Sequence, residues 1–239
     1  MGRRNGNRET TQLAGGGRSH YYDRMKGDII IVEEHHRAAA AAIVDHYESA
    51  IRAAGRPYTI SVAGESGSGK SETGKAIAEE CERLGLTAYV LQQDDYFVLP
   101  PRSNDRRRRE DISRVGTGEV RIDLLDEHLA RARSRSSEIV KPLVDYDADR
   151  ICEEHIDLSD SDVVIAEGTY TTLLENVDCR VFIARTRLDT LESRRKRARE
   201  PIEPFLEQVL EMEHEIIAPH RERAQVVINR DYEVSFVEA

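Results

Sequence analysis

The sequence predicts an α/β fold, a three-layer sandwich in which helices cover both faces of a mostly parallel sheet. Short apolar runs typical of buried parallel strands alternate with longer segments of helical periodicity. A glycine-rich loop, residues 64–71, stands between a predicted strand and a predicted helix. The chain has 239 residues, which suffices for one such domain with a substantial core. Together these observations favour one sheet with helices on both sides.

The predicted domain covers residues 27–239 and follows a tail. Residues 1–26 are polar and glycine-rich without a periodic apolar pattern, so we expect a flexible segment there. Residues 33–54 carry apolar side chains at helical spacing, and this helix should end at Gly55, just before Pro57. The domain therefore begins with a helix that packs against the rest.

Strands and helices alternate through the rest of the chain. The predicted strands are residues 58–63, 86–92, 162–166, 180–184, 225–229 and 233–237. The predicted helices are residues 71–84, 124–132, 188–199 and 205–223. Residues 138–157 contain two short extended segments around a turn, which predict a hairpin added to the main sheet. Pro100-Pro101 should break regular structure, and the polar stretch from Arg106 to Arg121 is expected to be a long surface excursion.

The composition argues against several classes of protein. With 45 acidic and 35 basic residues the net charge is −10 and the isoelectric point is near 5.4, which does not favour nucleic acid or an anionic membrane as partner. The mean hydropathy is −0.58, and no apolar run approaches the roughly 18 residues of a membrane span. Cys81, Cys152 and Cys179 lack zinc-site spacing, and no secretory signal begins the chain. We expect a cytoplasmic protein without disulfides.

The loop Gly64-Glu65-Ser66-Gly67-Ser68-Gly69-Lys70-Ser71 has the phosphate-binding pattern G-x-x-x-x-G-K-[ST]. Its glycines let backbone N–H groups turn inward around phosphate oxygens, and the following helix presents its positive end. Lys70 is expected to contact the phosphates, and the Ser71 hydroxyl to bind Mg²⁺. The sequence thus predicts a P-loop NTPase fold that binds ATP and magnesium.

The loop alone does not identify the reaction, because kinases, GTPases and mechanical ATPases share it. The chain has no Asn-Lys-x-Asp guanine motif and no Asp-x-x-Gly switch after the loop. It also lacks the Ser-Gly-Gly-Gln signature of transporters. In a chain of this size these absences favour a small-molecule kinase.

Further segments resemble the uridine kinase and phosphoribulokinase family, whose P-loop fold is nucleoside-monophosphate-kinase-like. The first, Leu91-Gln92-Gln93-Asp94-Asp95-Tyr96-Phe97, is similar to the family's strand that ends in Gln-Asp-Ser-Phe-Tyr. The resemblance implies that Asp94 is the base at the acceptor hydroxyl and also a magnesium ligand, and that Phe97 contacts the acceptor. Asp95 is assigned to the turn after the strand.

Two segments resemble the family's acceptor site. Val120–Leu125 is similar to Ala-Phe-Asp before a Leu-rich helix, which implies that Asp123 binds sugar hydroxyls, although this residue could equally be a helix N-cap. Pro142–Asp147 resembles the Pro-x-Tyr-Asp hairpin that covers the acceptor, and Tyr146 has the tyrosine position. Nucleoside kinases of the family read the base with a histidine where this chain has Ile151. This difference opposes recognition of a base.

A fourth segment resembles the family's apolar strand ending in Glu-Gly. It is Val163–Tyr170, and the resemblance implies that Glu167 helps to hold magnesium beside the phosphate loop. Residues 213–221 resemble a long helix of the family at an offset, and we assign them to packing.

A fifth segment, residues 191–200, resembles the Arg-Arg-x-x-Arg-Asp helix that opens the family's lid. The resemblance implies a lid at about residues 194–205. It places Arg195 at the nucleotide, Lys196 at the substrate, and Arg199 among the catalytic residues, because guanidinium groups stabilise charge on the transferred phosphoryl group. Residues 201–204 depart from the family pattern, so the lid should be reshaped.

The run Arg106-Arg107-Arg108-Arg109 allows two interpretations. Acidic residues follow it at once and no aromatic residues interleave, so a solvated loop is favoured over nucleic-acid binding. If the run is functional, its position in the sequence would let it close on a phosphorylated acceptor.

The sequence therefore predicts an ATP- and Mg²⁺-dependent kinase that phosphorylates a hydroxyl group of a small-molecule acceptor. A nucleoside such as uridine is the first candidate acceptor, and a sugar or sugar phosphate is the alternative. A second alternative is an ATP-binding module without transferase activity, but Lys70, Ser71, Asp94 and Glu167 together argue against it. The resemblance also allows a homo-oligomer, because members of the family often assemble.

Overall fold

The computed structural model describes residues 30–135, 138–189 and 203–237. In this part of the chain the helices are α1 Glu34–Ala53, α2 Lys70–Arg83, α3 Pro101–Glu110, α4 Ile122–Arg133 and α5 Pro204–Ile217. The strands are β1 Tyr58–Gly64, β2 Ala88–Gln92, β3 Glu138–Asp145, β4 Arg150–Asp157, β5 Val163–Glu167, β6 Cys179–Ile183, β7 Val226–Ile228 and β8 Val234–Phe236. The predicted tail and residues 190–202, which include most of the lid predicted at about residues 194–205, lie outside the described residues.

The central sheet has six strands in the order β2-β5-β1-β6-β7-β8. Its first five strands are parallel, and β8 runs antiparallel to β7. Every residue of β5 is buried, as its apolar sequence predicts, and every residue of β1 is buried as well, including Thr59 and Ser61. The mostly parallel sheet is therefore confirmed. Because β2, β5 and β1 are adjacent and parallel, the segments that follow them meet at one edge of the sheet.

Helices pack on both faces of this sheet, since neighbouring side chains of a strand point to opposite faces. In β5, Val163 and Ile165 belong to the core cluster that contains α1 and α2 residues. Val164 and Ala166 belong to a second cluster, which contains residues of α4. The three-layer sandwich is confirmed. None of the described helices has the length and apolar character that crossing a membrane requires.

The predicted surface excursion after Pro100 is wrong in one respect, because residues 101–110 form helix α3. Pro101 opens this helix, where its fixed φ and missing N–H are tolerated. Only Asn104 of α3 is buried, so the helix has no apolar stripe that a search for periodicity would detect. Polar contacts hold it in place instead.

The hairpin of β3 and β4 is present, but it is not added to the main sheet as expected. The two strands pair with each other, from Glu138 opposite Asp157 to Asp145 opposite Arg150, and form a separate two-stranded sheet. Ile139 and Ile156 are buried in the core cluster that contains α4. The hairpin thus packs through side chains rather than through backbone hydrogen bonds to the sheet.

Candidate active site

The phosphate loop, residues 64–71, connects the buried strand β1 to helix α2 as predicted. Its backbone turns sharply, with φ of 77° at Gly67 and 101° at Gly69, values that favour glycine. At Gly69 a Cβ atom would also lie 1.8 Å from the hydroxyl oxygen of Tyr232. Lys70 is the first residue of α2. The backbone N–H groups of the loop therefore lie at the N-terminus of a helix, which carries a partial positive charge. This arrangement is suited to binding phosphate.

The side chains of Lys70 and Ser71 are held in the loop by hydrogen bonds. The Lys70 Nζ atom donates to the Glu65 carbonyl oxygen at 2.9 Å, so its charge lies over the loop. The Ser71 Oγ atom donates to Glu167 Oε1 at 3.1 Å. A hydroxyl at the start of α2 and a carboxylate at the end of β5 are thus neighbours.

Glu65 is held from two directions. Its buried carboxylate lies 2.6 Å from His214 Nδ1 in α5 and accepts a hydrogen bond from the backbone N–H of Arg187, beyond β6. Sequence reasoning predicted a nucleotide contact for Glu65 as a member of the loop. The structure shows in addition that its side chain connects the loop to two distant segments, which stiffens the phosphate-binding backbone.

Asp94 and Glu167 lie at the same edge of the sheet. Gln92 of β2 pairs with Glu167 of β5, and Asp94 follows in the 3₁₀ helix Gln93–Tyr96. Burial is the main reason that the pKa of Glu167 is raised to about 8; the charge of Asp94 adds to this effect, and Lys70 and the hydrogen bond from Ser71 oppose it. Two carboxylates and one hydroxyl are hard oxygen donors of the kind that Mg²⁺ prefers. The set Ser71, Asp94 and Glu167 therefore fits a magnesium ion.

The Asp94 side chain is accessible to solvent and lines a cavity of about 370 Å³. The surrounding protein desolvates the carboxyl and raises its pKa, as does Asp95, against the charges of Lys70 and Arg108. A carboxylate with a raised pKa is a stronger base. Asp94 is thus both reachable and suited to accept a proton.

The cavity extends from the phosphate loop to α3, the hairpin and α5. Its lining residues relevant to the predicted site are Ser66, Asp94, Phe97, Val144, Tyr146 and Thr169. The structure therefore brings together Asp94, Phe97 and Tyr146, three residues that the resemblance placed at the acceptor.

Asp123 is not among the residues that line this cavity. It is exposed in the first turn of α4, and the N-cap of that helix is Arg121, so the alternative N-cap role is wrong. Arg195, Lys196 and Arg199 of the predicted lid lie outside the described residues.

Asp95 has a larger structural role than the turn residue that the sequence suggested. Its buried carboxylate accepts hydrogen bonds from Lys141 Nζ at 2.5 Å and from the Val144 N–H at 3.0 Å, both in β3. Lys141 is 4% exposed and also lies 3.3 Å from Glu154 in β4. These buried charges attach the hairpin that carries Tyr146. The sequence feature that could have indicated this buried pair is Lys141, a charged residue within a mostly apolar strand.

Glu213 is a functional-site candidate that sequence reasoning missed, and Arg108 is one that the sequence offered only as part of the arginine run. Both line the cavity, from α5 and α3 respectively. The arginine run was expected to be solvated, which is wrong for Arg108, because its side chain is only 15% exposed and pairs with Glu119 and Glu213. Residues 213–221 had been assigned to packing, yet Glu213 is a buried carboxylate at the cavity wall.

Comparisons with known proteins agree with this architecture. Residues 59–235 match the model of the phosphoribulokinase/uridine kinase family. The chain is 28% identical over 186 residues to the bifunctional α-galactosidase/sucrose kinase AgaSK of Mediterraneibacter gnavus, which covers 72% of this chain and 20% of that protein. It is also 30% identical over 131 residues to the uridine kinase of Ureaplasma parvum serovar 3. This match covers 53% of the present chain and 62% of that protein. The chain thus spans less than two thirds of either relative.

A solved structure shares the fold. The crystal structure of a putative fructose transport system kinase from Silicibacter sp. TM1040 matches with a TM-score of 0.56 at 18% identity, covering 77% of this chain and 93% of that one. At this identity the match supports the three-layer P-loop architecture and nothing about the acceptor.

Proposed function

Because the chain belongs to the phosphoribulokinase/uridine kinase family, we propose that it transfers the γ-phosphoryl group of ATP to a hydroxyl group of a small acceptor. The observation that carries this proposal is the position of Asp94. Its carboxylate lines a cavity that begins at Ser66 of the phosphate loop. A hydroxyl group in that cavity would have a base on one side and the phosphate donor on the other, as in-line transfer requires.

The donor side of the proposed reaction rests on the phosphate loop. Backbone N–H groups and Lys70 hold the phosphates in place and neutralise part of their charge. Ser71, Asp94 and Glu167 are the proposed magnesium ligands, directly or through water. A magnesium ion there supplies charge compensation for the phosphate oxygens during transfer.

The acceptor side rests on Asp94. The raised pKa of this carboxyl favours proton uptake from the attacking hydroxyl. Its oxygen accepts the proton while the acceptor oxygen bonds to the γ-phosphorus, and ADP leaves on the opposite side. Phe97 and Tyr146 provide flat apolar surfaces beside the reacting group, and they would exclude water from it.

Two acceptors are supported by different observations. A nucleoside is supported by relatives that are uridine kinases and by the aromatic side chains of Phe97 and Tyr146, which can stack on a base. A sugar is supported by Ile151, which offers no hydrogen bond where nucleoside kinases have a histidine, and by a relative named as a sucrose kinase.

The proposal is tested by measuring ADP release in a coupled assay with ATP and Mg²⁺. The panel contains uridine, cytidine, free pentoses and hexoses, and their monophosphates. We expect at least one compound to stimulate ADP release well above the background hydrolysis of ATP. Binding of ATP without stimulation by any compound would instead support the ATP-binding module.

A further inference from the structure

The wall of the cavity formed by α3 and α5 contains a network of buried charges. Arg108 donates two hydrogen bonds to Glu119, from Nε at 2.7 Å and from Nη2 at 2.9 Å. Glu119 also accepts from Asn104 Nδ2 at 2.9 Å and from the Gly116 N–H at 3.0 Å. Glu119 is thus fully occupied and fixes the guanidinium group in one orientation.

Glu213 is the incompletely bonded member of this network. Among the described residues its hydrogen-bond partner is Arg108 Nη2, at the long distance of 3.4 Å from Oε1. The residue is only 9% exposed and lines the cavity. A buried carboxylate normally has several donors around it. The Glu213 side chain can therefore accept a hydrogen bond from a molecule bound in the cavity.

The neighbouring arginine of the cavity is also neutralised. Arg109 pairs with Asp105 at 2.8 Å and with Glu203 at 2.9 Å. The charged residues lining the cavity are Asp94, Asp105, Arg108, Arg109, Glu203 and Glu213. Four of them are acidic and two are basic, and each basic one already has two carboxylate partners. Within the described residues the wall offers a phosphate ester no unpaired cation.

A phosphorylated acceptor would therefore bind poorly against this wall. Its phosphate would have to displace a carboxylate from Arg108 and leave that carboxylate buried and unpaired, or lie beside Glu213 as a like charge. A hydroxyl group meets neither obstacle, because it donates to a carboxylate and accepts from a guanidinium at once. The chemistry of the wall matches neighbouring hydroxyl groups of a polyol.

We propose, on the basis of the proposed function, that Glu213 and Arg108 bind a hydroxyl group of the acceptor and select an uncharged polyol rather than a phosphorylated one. Glu213 accepts the hydroxyl proton in a hydrogen bond, and Arg108 Nη2 donates to the hydroxyl oxygen. The pair lines the same cavity as Asp94, so it orients the acceptor for transfer. Glu213 and Arg108 are specificity residues in this scheme, and Asp94 remains the base.

The first measurement compares neutral compounds with their phosphate esters. ADP release is followed with ATP and Mg²⁺, using uridine, ribose, glucose, fructose and sucrose against uridine monophosphate, ribose 5-phosphate, glucose 6-phosphate and fructose 6-phosphate. We expect kcat/KM for the best neutral compound to exceed that of any phosphate ester at least tenfold. Preference for a phosphate ester would overturn the inference and leave the kinase function standing.

The second measurement uses variants of Glu213 with the best neutral acceptor. We expect Glu213→Gln to raise the acceptor KM at least tenfold, since an amide is a weaker acceptor than a carboxylate, and to leave the KM for ATP within twofold. The matched control is Glu215→Gln, the same change two residues further along α5 at an exposed position. It should leave both constants unchanged.

Glu213→Asp covers the case in which the glutamine variant does not fold. Aspartate keeps the charge that faces Arg108 but withdraws its oxygens from the cavity by one methylene group, so the acceptor KM should rise less than in Glu213→Gln. Circular dichroism establishes that each variant is folded. An acceptor KM equal to wild type in a folded Glu213 variant would overturn the inference alone, whereas absence of stimulation by every compound would contradict the proposed function.

Discussion

Asp94 combines solvent access from a cavity with a desolvated setting among charged groups, and this combination defines its expected behaviour at the scale of one residue. We expect Asp94→Asn to lower kcat by roughly 10²–10⁴-fold, because the acceptor hydroxyl loses its base. The KM for ATP should rise much less, because Asp94 is only one of the three proposed magnesium ligands. Steady-state kinetics with the best acceptor measure both constants, and Asp45→Asn, at an exposed position of α1, is the control. Full turnover by Asp94→Asn would exclude the assigned role.

The same residue predicts a pH dependence. The pKa of Asp94 is raised above its ordinary value of 3.8, chiefly because the surrounding protein desolvates the carboxyl, and only the ionised form accepts a proton. The kcat of the wild-type protein should therefore rise with pH as Asp94 ionises and then level off. The residual activity of Asp94→Asn should lack that step. A pH profile of both proteins, each at saturating acceptor, makes the comparison.

Glu167 predicts a pH dependence of stability in the absence of metal. Its pKa rises from 4.5 to about 8 on folding, so the folded protein binds this proton more tightly than the unfolded chain. The resulting stability is complete below about pH 4.5 and is lost as the pH rises to about 8. We expect a loss on the order of a few kcal/mol from this group across that range.

Glu167→Gln tests this expectation, because the amide does not titrate. Urea unfolding at pH 5 and pH 8, with a chelator present, should give a smaller loss of stability in the variant than in the wild type. Magnesium should stabilise the wild type at pH 8 and stabilise the variant less. Equal pH dependence in the two proteins would rule out a titrating Glu167.

At the scale of an element, the hairpin of β3 and β4 depends on buried charges rather than on the sheet. Asp95 holds both Lys141 and the backbone of Val144. Asp95→Ala leaves the Lys141 ammonium buried with Glu154 at 3.3 Å and the Pro142 carbonyl oxygen at 3.1 Å, and we expect a loss of about 3 kcal/mol in unfolding free energy. Urea unfolding measures this loss. The acceptor KM should also rise, since the hairpin carries Tyr146.

A control in the same hairpin separates buried from exposed ion pairs. Arg150 is 66% exposed and pairs with Asp145 at 3.2 Å. We expect Arg150→Ala to change the unfolding free energy by less than about 1 kcal/mol, because exposed pairs contribute little. A small effect of Asp95→Ala, comparable to that of the control, would mean that Lys141 finds another partner or reaches solvent.

The burial of individual side chains in helix α3 cannot be predicted from its local sequence. Four consecutive arginines look uniformly solvated, and Arg106 and Arg107 are exposed as expected. Arg108 points instead toward Glu119 and Glu213. Successive side chains of a helix are rotated by about 100° about its axis. About one residue in four therefore faces the protein interior, even in a polar helix. Which position does so depends on where the helix packs.

At the scale of the whole molecule, the phosphate loop is held by both ends of the described chain. Tyr232, in the turn before β8, donates from its hydroxyl to the Ser68 carbonyl at 2.7 Å. The Tyr232 ring lies 4.3 Å from His35 and 4.9 Å from His36 at the start of α1, measured between ring centroids. The conformation of the loop thus depends on residues far from it in sequence.

Tyr232→Phe tests this long-range support. Removing the hydroxyl deletes one buried hydrogen bond, so we expect a loss of about 1 kcal/mol in unfolding free energy. The KM for ATP should rise several-fold because the loop is less well held, while the acceptor KM should stay near the wild-type value. Urea unfolding and steady-state kinetics report the two effects. An unchanged KM for ATP would show that the loop keeps its shape without Tyr232.

The α/β class, the phosphate loop and the carboxylates at the strand ends could all be predicted from the amino-acid sequence. These features are local, because a glycine pattern dictates a turn, and a residue that follows a buried parallel strand must emerge at its carboxyl edge. The sequence alone therefore indicates that Asp94 and Glu167 lie at the same edge of the sheet. The proposed roles of Lys70 and Ser71 follow from the same local chemistry.

The acceptor wall and the attachment of the hairpin could not be predicted in this way, because they depend on contacts between distant segments. Arg108 and Glu213 are 105 residues apart, and Asp95 and Lys141 are 46 apart. Neither pair belongs to a short motif, and a charged side chain reads as solvated until its burial is known. Such pairings arise from packing of whole elements, which sequence periodicity does not specify for polar helices such as α3. Short sequence motifs thus specify the proposed phosphate-donor site, whereas the proposed acceptor site forms only when distant elements pack together.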